Sequence, residues 1–190
     1  DVYKRQMFKR YAAEYGLDWR LLVAMAYQES LLNAKAKSPT GVRGLMMLTQ
    51  KTSKDLGIKN RLDPESSIGG GAKYFAQLHS RMPKEAREPD RTWMALAAYN
   101  VGFYHVMDAR KITRKRGLDP NKWIDLRTSL PLLAQRKWHK DTKYGYARGW
   151  EPVRYVENIR SYYDILRRDN GPAQPPESEP DVYNILPSVL

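Results

Sequence analysis

The chain has 190 residues, of which 42% are hydrophobic and 28% are charged, proportions typical of a globular protein and not of a fibrous or wholly disordered one. Its net charge is +12 and it contains no cysteine, which excludes disulfides and thiolate metal sites. The longest apolar runs, 21–27 and 93–99, are far shorter than the roughly 20 residues that cross a membrane.

Apolar spacing and capping residues predict a series of helices with no convincing strand, and therefore an all-α fold. The predicted helices cover residues 7–15, 19–32, 49–56, 64–82, 91–101, 104–116, 120–126 and 152–168. Asp18 and Asp90 are predicted N-caps, and Asp119-Pro120 is predicted to open a helix because Pro is tolerated in a first turn.

Charge and composition divide the chain into a body and a tail. We expect residues 1–170 to form one domain and residues 171–190 to be a disordered tail, because the tail holds five Pro, three acidic residues and no basic residue. The body then carries a net charge of +15, which predicts attraction to a polyanion such as nucleic acid, anionic lipid or bacterial cell wall. The polar start lacks an apolar signal segment, and we expect the chain to be part of a longer protein.

Glu29 is the most informative polar residue. On the predicted helix it falls between Leu22, Met25 and Leu32, which face within about 80° of one another. A carboxyl group buried in such a stripe is harder to ionise, as a general acid at neutral pH requires. The alternative is a structural ion pair with a cation such as Arg43.

Other polar or small residues interrupt predicted helices. Asn100 lies in a stripe with Trp93 and Leu96, where it either satisfies nearby backbone groups or belongs to a site. The glycines at 69–71 cost roughly 1 kcal/mol each in a helix, and close approach of another helix backbone would explain them. His79 shares an apolar stripe and is interpreted as a satisfied core histidine.

The sequence lacks the motifs of metal sites, phosphate-binding sites and serine hydrolases. The three histidines have neither metal-site spacing nor clustered carboxylates, and no phosphate-binding or serine-hydrolase motif occurs. The basic run 111–116 is interpreted as a solvated face at a helix end. Aromatic residues at 144, 146, 150 and 155 suit either a core or a surface that stacks against sugars or bases.

Four segments along the chain together resemble a known family. They are Tyr27-Gln28-Glu29-Ser30, Gly44-Leu45-Met46-Met47-Leu48-Thr49, Ala98-Tyr99-Asn100-Val101-Gly102 and Tyr155-Val156-Glu157-Asn158-Ile159. In this order, over roughly residues 7–168, they resemble the motifs of the soluble lytic transglycosylases. The resemblance implies a helical lysozyme-like fold of the goose type.

The resemblance also implies a reaction and a set of site residues. The substrate would be the glycan strands of peptidoglycan, cut at the MurNAc-β-1,4-GlcNAc bond to leave a 1,6-anhydro-MurNAc end, with Glu29 as acid and then base. No cofactor and no metal is implied. The residues expected to contact or shape the substrate site are Ser30, Gly44, Met46, Tyr99, Asn100, Glu151 and Tyr155.

Two features refine the resemblance. Met47 stands where the family usually has Gln, so a hydrogen bond to substrate is expected to be missing there. Together with segments 38–44, 108–110 and 144–149, this departure is similar to a membrane-bound branch of the family, branch F, whose catalytic domain follows an N-terminal domain similar to solute-binding proteins. The branch implies a periplasmic protein held at the outer membrane by parts outside this chain, and a monomer that does not bind nucleic acid.

Three other functions remain compatible with the sequence. A lysozyme-type hydrolase would use the same Glu29 with water as the nucleophile. A basic helical module that binds nucleic acid would use the run 111–116, although basic residues are spread along the whole chain. A non-catalytic wall-binding module is compatible with Met47.

Overall fold

The computed structural model describes residues 2–170, which form nine α-helices, one short 3-10 helix and no strand beyond isolated bridges at 37, 43 and 48. The helices are α1 (Val2–Glu14), α2 (Trp19–Ser30), α3 (Gln50–Asp55), α4 (Pro64–Arg81), α5 (Asp90–Val101), α6 (Phe103–Lys115), α7 (Trp123–Ser129), α8 (Arg136–His139) and α9 (Trp150–Asn170), with the 3-10 helix at Leu130–Ala134. The predicted all-α class is confirmed. Within this range no helix is both long and apolar enough to cross a membrane.

The described residues divide into two compact units. Unit 1 contains residues 2–76 and 159–170, and unit 2 contains Gln77–Asn158. Helices α4 and α9 contribute residues to both units. The predicted tail, 171–190, lies outside the described residues.

Two of the predicted capping motifs, at Asp90 and at Asp119-Pro120, differ in the structure. Asp90 is the first residue of α5 and makes no cap bond to its own helix. Its carboxylate instead accepts a hydrogen bond from the backbone N–H of Trp123 at 2.8 Å, at the start of α7. Asp119 accepts from the backbone N–H of Asn121 at 2.8 Å, so that Asp119-Pro120 forms a turn and the helix begins later, at Trp123.

A buried ion pair holds the start of α2 in unit 1. Asp18 caps the helix as predicted, since its carboxylate accepts from the backbone N–H of Arg20 at 2.9 Å. The same carboxylate pairs with the Arg20 guanidinium through two bonds of 3.0 and 2.8 Å and accepts from the Tyr163 hydroxyl of α9 at 2.7 Å. All three side chains are buried, so the network fixes α2 against α9.

Side chains cover the glycine stripe of α4. A Cβ at Gly69 would lie 2.8 Å from the Tyr11 ring, one at Gly70 would overlap Ile58, and one at Gly71 would lie 2.6 Å from Cγ of Met46. The expectation that another helix backbone packs here is therefore wrong. The glycines instead make room for three large side chains of unit 1.

In unit 2 a buried polar cluster joins α4 to α5. His79 is buried and bonds through Nε2 to the carboxylate of Glu88, which also accepts from the Thr92 hydroxyl at 2.6 Å. Burial opposes ionisation of Glu88, but the bonds from His79 and Thr92 outweigh it and hold its pKa below the usual value. The interpretation of His79 as a core residue is confirmed, and its Nε2 is bonded to Glu88.

The Tyr163 hydroxyl gives a prediction about stability at high pH. Burial and the adjacent Asp18 carboxylate raise the pKa of Tyr163 well above the ordinary value of 10.0. The folded state therefore holds this proton more tightly than the unfolded state, so its contribution to stability is complete below pH 10 and is lost as the pH rises above it.

We expect Tyr163→Phe to cost about 1.5–3 kcal/mol of unfolding free energy at pH 7, the value of a hydrogen bond to a charged group. Above pH 10 the variant should lose stability less steeply than the parent. Urea unfolding followed by circular dichroism across this pH range measures both effects, with Tyr162→Phe on the same helix as the control. Equal pH slopes for the parent and Tyr163→Phe would contradict the assignment.

The packing of Met46 on Gly71 gives a second prediction. Gly71→Ala should destabilise the protein by about 1–3 kcal/mol, because overpacking outweighs the better helix propensity of Ala. Met46→Ala should cost about 2–5 kcal/mol alone but clearly less in the Gly71→Ala background, where it relieves the clash. A double-mutant cycle of unfolding free energies measures this coupling, and additive costs would show that the two residues do not interact.

Candidate active site

Glu29 lies in the last turn of α2 and is half-buried. The helix ends directly after it, at Ser30, because Leu31 and Leu32 adopt left-handed φ values of 53° and 61°. The predicted extension of the helix to Leu32 is therefore wrong. This conformation is unfavourable for residues with a Cβ, and strain of this kind is typical of functional sites.

The Ser30 side chain connects the end of α2 to the following loop. Its hydroxyl is buried and lies 3.0 Å from the Ala26 carbonyl oxygen and 2.8 Å from that of Leu45. Because the single hydroxyl proton faces backbone carbonyls, Ser30 holds the loop next to Glu29 and has no proton left over to donate to a substrate. Ser30 directly follows Glu29 in the chain, and its hydroxyl is directed inward.

Residues 44–48, here named the site loop, are closed by backbone bonds and by Arg61. Arg43 and Leu48 exchange two backbone hydrogen bonds of 3.1 and 3.0 Å. The Arg61 guanidinium donates to the carbonyl oxygens of Gly41 at 2.8 Å and Leu48 at 2.9 Å. These bonds hold both ends of the loop in one conformation.

Gly44 is required by its geometry. Its φ is +86°, and a Cβ there would overlap the backbone carbonyl oxygen of Arg61. The residue therefore permits both a left-handed turn and a close backbone approach, which no other residue type permits together.

The two methionines of the site loop differ in their surroundings. Met46 is fully buried, its backbone N–H donates to the Ser67 hydroxyl at 3.0 Å, and its side chain packs on α4. It therefore supports the loop from beneath and presents no surface to a substrate. Met47 is partly exposed and has a left-handed φ of 48°, so backbone strain falls at the position where the resemblance expects Gln.

Two charged residues of unit 1, Arg43 and Asp18, bear on the role of Glu29. Arg43, the candidate for a structural pair, is exposed and forms no ion pair with a described residue. Asp18 is the one buried carboxylate among the described residues of this unit, and it is engaged by Arg20 and Tyr163. Within the motif segments of unit 1, residues 27–30 and 44–49, Glu29 is the one carboxylate, and it is half-buried.

In unit 2, Tyr99 and Asn100 form the end of α5. Tyr99 is half-buried and Asn100 is exposed, although Trp93 and Leu96 of the same helix are buried. The expectation of a buried stripe through Asn100 is wrong, because α5 ends one residue later, at Val101, and is followed by Gly102, whose φ is +100°. An exposed amide at a helix end is available to a ligand.

Glu151 and Tyr155 lie one turn apart on α9 in unit 2. Glu151 is partly exposed and pairs with exposed Arg148 at 3.4 Å, a surface contact of little energetic weight. Tyr155 is buried. Among the aromatic residues grouped in the sequence, Tyr155 therefore belongs to the core, whereas Tyr144, Tyr146 and Trp150 are exposed.

Sequence reasoning missed two residues that shape the site loop. Ser67 accepts from the Met46 backbone, and its only signal was a polar residue beside the glycines of α4. Arg61 had no signal, because its role depends on which carbonyl groups the fold places near it. No group of three or more described His, Cys, Asp or Glu side chains is arranged to hold a metal ion.

Comparison with known proteins identifies the family of the chain. The sequence model described as "Transglycosylase SLT domain" matches residues 6–122. The chain is 58% identical over 170 residues to membrane-bound lytic murein transglycosylase F 1 of Alkalilimnicola ehrlichii, covering 90% of the chain and 34% of that protein. It is 60% identical over 161 residues to membrane-bound lytic murein transglycosylase F of Ectopseudomonas mendocina, covering 85% and 33%. The chain spans about a third of the length of these curated relatives.

Two solved structures share the fold. An inactive mutant of lytic transglycosylase Slt from Pseudomonas aeruginosa aligns with a TM-score of 0.63 and 27% identity, over 90% of this chain and 25% of that one. The 70 kDa soluble lytic transglycosylase of Escherichia coli aligns with a TM-score of 0.63 and 25% identity, over 87% and 24%. On the family match and these relatives, the chain belongs to the transglycosylase SLT domain family.

Proposed function

We propose that the chain is a peptidoglycan lytic transglycosylase domain that cleaves the MurNAc-β-1,4-GlcNAc bond without water. The observation that carries the proposal is the placement of Glu29, half-buried in the last turn of α2 next to a loop that Ser30 anchors. A half-buried carboxyl group in this setting is partly shielded from water and is still accessible to a substrate, as a general acid requires.

The first step is protonation of the leaving group. Glu29 donates its proton to the glycosidic oxygen, and the bond to C1 of MurNAc breaks as positive charge develops on the ring. The 2-acetamido group of the same sugar assists by sharing that charge. Met46 and the site loop keep the carboxyl on a rigid backbone, so little reorganisation is needed when the proton moves.

The second step reverses the role of the same residue. Glu29, now a carboxylate, takes the proton from the C6 hydroxyl while that oxygen attacks C1 and closes the anhydro ring. The residue returns to its acid form, and no water enters the product. The engagement of Asp18 with Arg20 and Tyr163 supports this one-carboxylate scheme, because that buried acid is committed to structure.

The remaining candidate residues serve binding. Asn100, exposed at the end of α5, offers an amide to an acetamido or hydroxyl group of the glycan, and Tyr99 precedes it with a phenol. Glu151 and Tyr155 remain proposed members of the site, the first through an exposed carboxylate and the second by supporting α9 from the core.

The partner is the glycan of peptidoglycan, bound by a chain with a net charge of +12. Because the relatives are named membrane-bound, we place the full-length protein in the periplasm and attach it to the outer membrane through parts outside this chain. A monomer suffices for the proposed chemistry.

Glu29→Gln should lower the release of soluble muropeptides from purified sacculi by about 10²–10⁴-fold, because the amide can neither give nor retake a proton. Mass spectrometry of the products should show anhydro ends from the parent. The matched control is Glu14→Gln, an exposed glutamate of unit 1, which should digest sacculi like the parent.

Two outcomes would overturn the proposal. Reducing-end products from the parent, heavier than anhydro products by one water, would indicate a lysozyme-type hydrolase. Undiminished turnover by Glu29→Gln would remove Glu29 from the mechanism.

A further inference from the structure

The surface of unit 2 carries a group of exposed aromatic and basic side chains that the proposed chemistry does not use. Tyr104 of α6 and Tyr144 of the loop before α9 stack with ring centroids 4.5 Å apart and planes at 20°, yet they remain 49% and 41% exposed. The exposed Arg81 guanidinium lies 3.9 Å from the Phe103 ring centroid and 5.5 Å from that of Tyr104. These four residues are named the tyrosine platform.

The platform is held in place by buried contacts. Asp108 is 1% exposed, and its carboxylate accepts from the backbone N–H of Tyr144 at 2.8 Å. It lies four residues after Tyr104 on α6, so the two share one helix face. Thr142 accepts from the backbone N–H of Gly145 at 3.1 Å, which fixes the turn that carries Tyr144.

This arrangement is unusual for a purely structural cluster. A buried carboxylate is costly unless it is bonded, and here its bond positions a residue whose ring remains in solvent. Exposed aromatic groups with an arginine are enriched at interaction surfaces. Tyrosine rings contribute apolar surface at low entropic cost, and a guanidinium stacked on rings is already oriented for a carboxylate.

The platform lies close to Asn100 along the chain. Tyr104 follows exposed Asn100 by four residues, so their Cα atoms are at most about 14 Å apart. Both belong to unit 2, and the turn at Gly102 joins their helices. A strand bound at Asn100 is therefore within reach of the platform.

The geometry points to the tyrosine platform as a second binding surface for the peptidoglycan strand, beyond the sugars that react. The tyrosine rings stack on the apolar faces of a saccharide, and Arg81 binds a carboxylate of its peptide branches. Lys143, with its ammonium 5.6 Å from the Tyr144 ring centroid, adds positive charge at the same edge. This inference rests on the proposed function for the identity of the glycan.

The test measures binding separately from cleavage. Sacculi are titrated with the full chain carrying Glu29→Gln, which keeps the polymer intact, and the bound fraction gives an apparent Kd. Adding Tyr144→Ala, or Tyr104→Ala, should raise that Kd roughly tenfold, the scale of one aromatic contact. The hydrogen bond that the Tyr144 backbone N–H donates to Asp108 survives the substitution of the side chain.

Two conservative variants and one control sharpen the result. Tyr144→Phe keeps the ring and should bind like the parent, and Arg81→Gln should raise the Kd for sacculi but not for glycan strands stripped of peptides. Tyr3→Ala removes a tyrosine of unit 1 that is even more exposed, at 68%, and should leave the Kd unchanged.

The inference would be overturned if both alanine variants bound sacculi as tightly as the parent. It would also be overturned if the alanine variants lost affinity for duplex DNA while their affinity for sacculi stayed unchanged. Cleavage of sacculi by the chain that retains Glu29 tests the proposed function independently. If that chain cleaves and the alanine variants bind normally, only the platform assignment fails. If it does not cleave and the variants lose affinity, the proposed function fails and the binding surface stands.

Discussion

The geometry of the candidate site depends on the close packing of the site loop against the residues before and within α4. At Gly44 the backbone meets the carbonyl of Arg61 so closely that a single added carbon would overlap it. Two residues further, the buried backbone N–H of Met46 bonds to Ser67, and its side chain occupies the space above Gly71. Since these contacts leave no room for an alternative loop path, the carbonyl of Leu45 is presented to Ser30, and the neighbour of Ser30 is the proposed catalytic acid.

Rigidity at one end of α2 is matched by rigidity at the other. The buried pair of Asp18 and Arg20 would be costly without its hydrogen bonds, and the Tyr163 hydroxyl completes them. The helix is thus fixed at its start by a polar network and at its end by Ser30, while Leu31 carries strain. An acid that must give and retake one proton benefits from such a support, because proton transfer is sensitive to small displacements.

Local patterns predicted the features that depend on local physics. The cap at Asp18 and the anomalous Glu29 follow from helical periodicity and from the preference of carboxylates for helix starts. Asp90 failed as a cap because a distant N–H group competes for its carboxylate. The sequence did not predict that α2 ends before Leu31 or that Arg61 bonds to the site loop. Each of these features depends on contacts between residues far apart in the sequence. The four ordered motifs predicted the family, which no single residue could do.

The central claim is that one carboxyl group performs both proton transfers and that no water joins the product. Digestion of sacculi in water enriched in heavy oxygen tests this claim most directly, with the soluble muropeptides analysed by mass spectrometry. The account predicts products at their ordinary mass, because the C6 oxygen of the sugar itself closes the ring. Incorporation of one heavy oxygen atom at C1 of each new end would contradict it and would assign water as the nucleophile.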